Sequence, residues 1–485
     1  MGVYHQLYNG WSDMGKPCID SLEGQIDYGG LHSGVLAACT RLSSLGACPG
    51  DVVCLQLPKS RLMLELVLAG MAMGCPVLPL NDSYTPREVA YFVRDSGASL
   101  AVLARSAGMD GLPAKVVSAD EFISLPSASL AGLPPEPPDT GLAVLLYTSG
   151  TTGEPKGAMI SHGNILALVR GLHSAWRWSS RDRLLHALPL FHVHGLFVAQ
   201  LAALHAGACS IWMDRFDPVE AVRLIGERKA SVFMGVPTLY QRLLSLPEKQ
   251  EWGLGSMRLF TSGSAPLPAA IHEAFTARTG HRILERYGMT EAGIVLSNPY
   301  EGLRKPGAVG FPVCGAEVGV FGPAGEPLPR GEVGEIRMRG PSVVRGYLGR
   351  PAQTAASFAG GWLRSGDLGS IDADGYFRIA GRAKDLVISG GMNVYPLEVE
   401  AVLREHPGVI DAAVIGVPDP GWGERVVALA VARPGLDNGE LVSFTKERLA
   451  PYKRPKEIRL VEALPRNAMG KVQKERIRRE WAPLQ

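Results

Sequence analysis

Short apolar runs that recur along the chain and close in polar loops constrain its fold more than any other feature. "DVVCLQL", "CPVLPL" and "SLAVLA" fall between residues 51 and 104, separated by helical stretches such as "PREVAYFVRDSG". That alternation is what parallel α/β layers produce. The Pro-rich connector "GLPPEPPDTG" (132–141) ends the first layer, and "AVLLYTS", "RLLHALPL", "SVFMGVP", "MRLFTSG" and "RILERYG" follow as further strands. Several of them finish in a polar loop, and open α/β sheets collect their ligands at the carboxyl ends of strands. The most apolar stretch, "LMLELVLAGMAMGCPVLPL" (62–80), holds Glu65 and two prolines. It reads as a buried helix followed by a strand, so no membrane span is expected.

From about residue 307 the texture becomes β-type, with "DADGY" a hairpin turn. After Gly391 a small αβ unit follows: "PLEVEAVLREHPG" as a helix opened by Pro396, "AAVIGVP", "VVALAVA" and "EIRLVEAL" as strands, and "KVQKERIRREW" as a terminal helix. The expected class is α/β: a large N-terminal domain of stacked α/β sheets with a β-rich subdomain, and a small α+β C-terminal domain. At 485 residues the chain exceeds one hydrophobic core. Its 46% apolar and 20% charged residues describe a soluble globular protein, and a net charge of +2 argues against a nucleic-acid partner. The start carries no secretory pattern, and seven cysteines without a CxxC pair fit reduced thiols, so a cytoplasmic location is expected.

One loop asks for a ligand. "YTSGTTGEPKG" (147–157) packs hydroxyls and glycines before a single lysine, Lys156. Its spacing does not fit the Walker A pattern, whose lysine directly follows a glycine and precedes Ser/Thr. A Gly/Ser/Thr-rich turn can still cradle phosphates on its backbone N–H groups. The same composition also suits a plain surface turn, and spacing alone leaves both open.

The loop resembles the signature of the adenylate-forming superfamily of acyl-CoA synthetases, adenylation domains and firefly-type luciferases. Further motifs stand in that family's order: "RYGMTEAG" (286–293), "GWLRSGDLG" (361–369), "GRAKDLVISGGMNVYPLEVE" (381–400) and "PRNAMGKVQK" (465–474). The resemblance implies a carboxylate and ATP giving an acyl-adenylate and pyrophosphate, then attack by a thiol with AMP leaving. It assigns Thr148, Ser149, Gly150, Thr151, Thr152, Gly153 and Lys156 to the phosphates. Gly263, Ser264, Ala265, Glu285, Tyr287, Gly288 and Met289 would form the adenine slot, and Asp367 and Arg382 would take the ribose. Glu291 would hold Mg²⁺ with Thr290 beside the phosphate, and Lys471 would be the catalytic lysine. Lys384 would be the hinge between domains 1–383 and 384–485, with Gly390 and Gly391 in a hairpin guiding the thiol. ATP, Mg²⁺ and CoA are the implied cofactors and co-substrates, with an acyl-carrier protein as the alternative acceptor. The tail from Thr445 to Trp481 carries 12 Lys/Arg against 5 Asp/Glu, which suits a phosphate-rich CoA.

For the acid, the loop "LPLFHVHGLFV" contributes His192, in the family's acyl tunnel and among the expected catalytic residues, and His194. Arg242 and Arg286 supply guanidiniums, which a fatty tail has no use for and a second carboxylate does. The same segments resemble the malonyl-CoA synthetase branch. Ile294, where that branch commonly has Met, would reshape the space around the acid's C2. The expected substrate is malonate or a 2-substituted malonate such as methylmalonate, a fatty-acid or polyketide precursor. The alternatives are a medium-chain or aromatic acyl-CoA ligase, an acyl-AMP ligase loading a carrier protein, and a nucleotide-binding regulatory pseudoenzyme.

Overall fold

The computed structural model describes residues 1–105, 111–127, 132–149, 155–467 and 470–481. Its first sheet has six strands in the order Lys115–Ser118, Leu100–Leu103, Val53–Gln56, Val77–Pro79, Leu142–Ser149, Pro155–Ser161. All neighbours are parallel except the last pair, which runs antiparallel across the signature loop. The second sheet has nine strands. Its parallel centre runs Leu284–Met289, Leu259–Ser262, Val232–Gly235, Arg183–His186, Cys209–Trp212, Pro17–Ser21, with antiparallel strands at both edges. The strands expected from the apolar runs are therefore present, and their carboxyl ends carry the motif loops.

Between the two sheets lies one continuous apolar cluster. The helix Arg61–Met73 is buried along nearly its whole length and is started by Ser60, whose hydroxyl accepts the Met63 N–H. Glu65, the charge within that run, is held by an ion pair to Arg61 at 2.5 Å. The helix Pro86–Ser96 shows how local sequence sets its own limits: Thr85 and Glu88 form a capping box, Pro86 opens the first turn, and Gly97 closes the helix in a left-handed conformation.

A five-stranded antiparallel sheet follows, built from Glu317–Phe321, Gly334–Arg339, Phe358–Ala359, Trp362–Ile371 and Phe377–Arg382. "DADGY" is its tight turn, with the Gly375 N–H donating to Asp372 O at 2.9 Å. After a short helical turn, Ala383–Asp385, a last sheet combines Val387–Ser389, Met392–Val394, Val409–Asp419, Gly423–Ala432 and Glu457–Val461. The helices Pro396–Glu405, Asn438–Arg448 and Lys474–Trp481 accompany it, and its core is separate from the others. The molecule is thus mixed α/β, with a large N-terminal part and a small C-terminal one. Among the described residues no helix is long and apolar enough to cross a membrane.

Candidate active site

The motifs expected to bind phosphate and ribose converge at the strand ends. Glu291 is buried, and its Oε1 accepts hydrogen bonds from the Tyr347 hydroxyl at 2.9 Å and Thr148 Oγ1 at 3.3 Å. Neither bond uses Oε2. Lys156 places its ammonium 5.5 Å from the Tyr347 ring centroid, so Tyr347 links the loop's lysine to the acid. Asp367 is likewise buried on the strand Trp362–Ile371. The Tyr287 hydroxyl donates to its Oδ2 at 2.6 Å, and Arg382 Nε pairs with its Oδ1 at 2.8 Å. Burial pushes the Asp367 carboxyl upward, opposed by Arg382, the Tyr287 bond and Lys471. Ser149 is described only in its backbone, and Gly150, Thr151, Thr152 and Gly153 lie outside the described residues.

Lys471 reaches the same cleft from the C-terminal part. The residue is exposed overall while its charged end is surrounded by protein, and its pKa is lowered first by desolvation and then by Arg382. Asp367 and Glu291 oppose that shift, while Arg286 adds to it. Lys471, Asp367 and Glu291 are thus electrostatic neighbours despite spanning residues 291 to 471.

Arg286 occupies a different environment. It is 4% exposed, and its Nε and Nη2 meet no hydrogen-bond partner among the described residues. Its guanidinium lies against the backbone of Gly263, where a Cβ would stand 2.4 Å from Cζ. Only glycine permits that approach. Next to it, Ser264 holds a left-handed φ of 68° and bonds His194 Nδ1 at 3.2 Å, leaving His194 Nε2 unpartnered among the described residues. Burial pushes His194 well below its ordinary value, with Arg286, His186 and His192 adding to the effect. His192 falls to about 4, through burial and then Lys471. Both imidazoles are neutral at pH 7. The histidine segment is more structured than a loop: His194–Leu201 is π-helical, a wide turn often found at functional sites. Gly195 lets it begin there, since a Cβ would meet Pro189 O at 1.9 Å.

The family described as AMP-binding enzyme matches residues 12–348, and its C-terminal domain matches residues 398–471. The chain belongs to the AMP-binding enzyme family. ATP-bound MatB from Rhodopseudomonas palustris superposes on it with a TM-score of 0.95 at 40% identity, covering 99% of each chain. The mitochondrial malonate–CoA ligase of Bos taurus is 37% identical over 468 residues, which are 86% of this chain and 79% of that protein. A feruloyl-CoA synthase of an Amycolatopsis species is also 37% identical, over 94% of each chain. The motif-based resemblance, including its malonate-ligase branch, is borne out.

Within this AMP-binding enzyme not every expected residue faces the cleft in the same way. Glu285 is buried, and one of its oxygens accepts the Leu267 N–H at 3.0 Å, tying down the turn that follows Ser264 and Ala265. Burial pushes its carboxyl up to about 8. Gly288 pairs across the hairpin with Ile294, which is buried in the main core, and Met289 and Tyr287 both pack against the cluster that holds Val295 and Leu296. Thr290 stands in the turn just before Glu291. Arg242 is exposed in the last turn of Pro237–Leu244, with its guanidinium 5.1 Å from the Phe216 ring centroid. It therefore does not share the buried position of Arg286. Lys384 approaches Glu475 at 4.0 Å, and Gly390 and Gly391 turn the hairpin between Val387–Ser389 and Met392–Val394. Sequence reasoning misses Tyr347. It stands in "VVRGYLG", with no motif around it, and only the fold brings it to Glu291 and Lys156.

Proposed function

We propose that this AMP-binding enzyme is an ATP-dependent acid–CoA ligase that takes malonate or a 2-substituted malonate such as methylmalonate. One observation carries the choice of acid: the buried Arg286 guanidinium with two unpartnered nitrogens. Desolvation lowers its pKa only to about 9, so it stays cationic at neutral pH. A charged donor sealed from water is costly unless an anion meets it. The distal carboxylate of malonate fits that need, whereas a fatty or feruloyl tail leaves it unmet. Neutral His192 and His194 line the path without adding charge. Arg242 is assigned to the outer rim, and Ile294 to the space around C2.

In the first half-reaction the acid's carboxylate attacks the α-phosphorus, forming the acyl–phosphate anhydride as the bond to pyrophosphate breaks. Lys471 bridges the two anions, whose approach it screens. Each Asp367 oxygen keeps a lone pair for a ribose hydroxyl beside its bond to Tyr287 or Arg382. Among the described residues no three His, Cys, Asp or Glu side chains converge on a metal site. A hard ion held by one carboxylate and by phosphate oxygens suits Glu291, whose Oε2 takes part in neither of its bonds to Tyr347 and Thr148; Glu291 would hold Mg²⁺, which would supply charge neutralisation. In the second half-reaction the thiol attacks the acyl carbon and AMP leaves. Residues 384–485 turn about Lys384 for this step, removing Lys471 and bringing in the Gly390–Gly391 hairpin.

The test is pyrophosphate release with malonate, methylmalonate, sulfoacetate, octanoate and ferulate, with and without CoA, and products identified by mass. Malonates are expected to lead and malonyl-CoA to form only with CoA present. A preference for octanoate or ferulate over every malonate would overturn the reading. Transfer only to a carrier protein would replace CoA as the acceptor.

A further inference from the structure

Lys471 sits in a turn whose backbone is held on both sides. Its N–H donates to Asn467 Oδ1 at 3.0 Å, and its carbonyl accepts the Asn467 N–H at 2.9 Å. Arg466 forms an antiparallel bridge with Val472, and the Gln473 N–H donates to Pro465 O at 2.8 Å. The Arg466 side chain then does two things at once. Nη1 donates to the Gly470 carbonyl, in the peptide immediately before Lys471, and Nη2 pairs with Asp411 Oδ2.

Asp411 is itself fixed on the strand Val409–Asp419. Its Oδ1 accepts the Ala412 N–H at 2.8 Å and Arg404 Nε at 3.2 Å. Three residues beyond Lys471, Lys474 pairs at 2.6 Å with the buried Glu400, whose same oxygen accepts the Val414 N–H at 2.9 Å. The turn is therefore gripped by two carboxylates, one before and one after the lysine, and both belong to the C-terminal part. The motif "PRNAMGKVQK" contains Arg466 but does not reveal its partner: Asp411 lies 55 residues earlier, and a cation in a basic tail usually reads as part of a solvated face.

We propose that Arg466 and Asp411 are positioning residues, setting the backbone of Lys471 so that its ammonium reaches the junction of acid and phosphate. The inference rests on the reading of Lys471 as the cation of adenylation. A lysine side chain has four rotatable bonds, so where its ammonium goes depends on how firmly its Cα is held. A planar guanidinium with an acceptor on each arm transmits the position of a strand to a neighbouring peptide, which a point-charge ammonium cannot do as rigidly. The turn then travels with the rotating domain as one body instead of being rebuilt each cycle.

The two half-reactions separate this role from a general structural one. In the full-length protein, Arg466→Gln and Asp411→Asn should each slow acid-dependent ATP–pyrophosphate exchange by about 10–100-fold, the scale of a small misplacement. The double variant should be no slower than the slower single one, because both remove the same contact. Thioester formation from supplied acyl-adenylate should stay within about twofold, since that step proceeds without Lys471. Arg466→Lys, which keeps the charge and the fold but loses the fork, should slow exchange by an intermediate amount. Lys471→Ala is the control and should abolish exchange. Two results overturn the proposal: exchange unchanged in Arg466→Gln and Asp411→Asn while Lys471→Ala is dead, or both half-reactions falling together with thermal stability. Normal exchange in Lys471→Ala would remove the underlying reading of the lysine as well.

Discussion

Among the residues proposed to bind the nucleotide, Glu291 receives hydrogen bonds from Tyr347 and Thr148, and Asp367 one from Tyr287 beside its ion pair with Arg382. Among those proposed to bind the acid, Arg286 and His194 keep nitrogens that no described residue meets. Glu291 and Asp367 are held in position by protein partners. Arg286 is packed against Gly263 and His194 is held by one bond to Ser264, while Arg286 Nε and Nη2 and His194 Nε2 meet no partner among the described residues. This difference suits the two tasks. ATP is common to the whole family, so its anchors need rigidity; the acid must be chosen, and discrimination is strongest where a missing polar group strands a buried partner.

The largest effect should come from breaking the acid side. Arg286→Gln removes the buried cation, and kcat/KM for malonate should fall on the order of a thousandfold. The KM for ATP should move little. Steady-state kinetics in both substrates decide it, and an equal loss in both would erase the contrast between the two sides.

Gly263→Ala sharpens the boundary, because the motif resemblance puts Gly263 in the adenine slot and the fold puts it beneath Arg286. An added Cβ would stand 2.4 Å from Cζ, so the guanidinium must shift. A rise in the malonate KM of about tenfold to a hundredfold is expected, exceeding any rise for ATP. The reverse order would return Gly263 to the nucleotide side.

Tyr347→Phe probes the pre-satisfied half. Losing one neutral donor to a carboxylate costs about 1–3 kcal/mol where the acceptor stays buried. Because Glu291 has Thr148 as a second partner, the loss should be at the lower end. The expected outcome is a several-fold increase in the Mg²⁺ concentration for half-maximal adenylation, with little change in malonate KM.

The smallest functional effect belongs to Glu285→Gln, whose readout is stability. Burial raises this carboxyl from the ordinary 4.5 to about 8. Between those values the folded protein keeps a proton that the unfolded chain has released, so this group's contribution falls as pH rises through that window. Thermal unfolding followed from about pH 5 to pH 8 should slope downward in the parent and flatten in the variant. An unchanged slope would mean that the buried carboxyl is not the source.

Much of this molecule is legible in its sequence. The alternating apolar runs place the parallel strands, as "SVFMGVP" and "MRLFTSG" show, because period and turn chemistry are local. The family motifs name Glu291, Asp367 and Lys471, and the fold brings all three to one cleft. Tyr347 escapes because its partners lie at positions 156 and 291, and no local pattern marks such a contact. The histidine segment reads as a loop, whereas packing of Gly195 against Pro189 O allows a π-helical turn. Arg242 and Arg286 look alike in sequence. One ends exposed over Phe216 and the other sealed against Gly263, a distinction of burial alone.

By itself, then, the sequence determined the layered α/β architecture and the order of the family motifs, and it nominated the residues proposed for phosphate, ribose and the catalytic lysine. All of these follow from spacing and side-chain chemistry. Only the tertiary structure decided which charges are already satisfied and which stand open. An arginine on a strand carries the same donors wherever it sits, but whether water, a carboxylate or nothing meets them depends on what the rest of the chain packs around it.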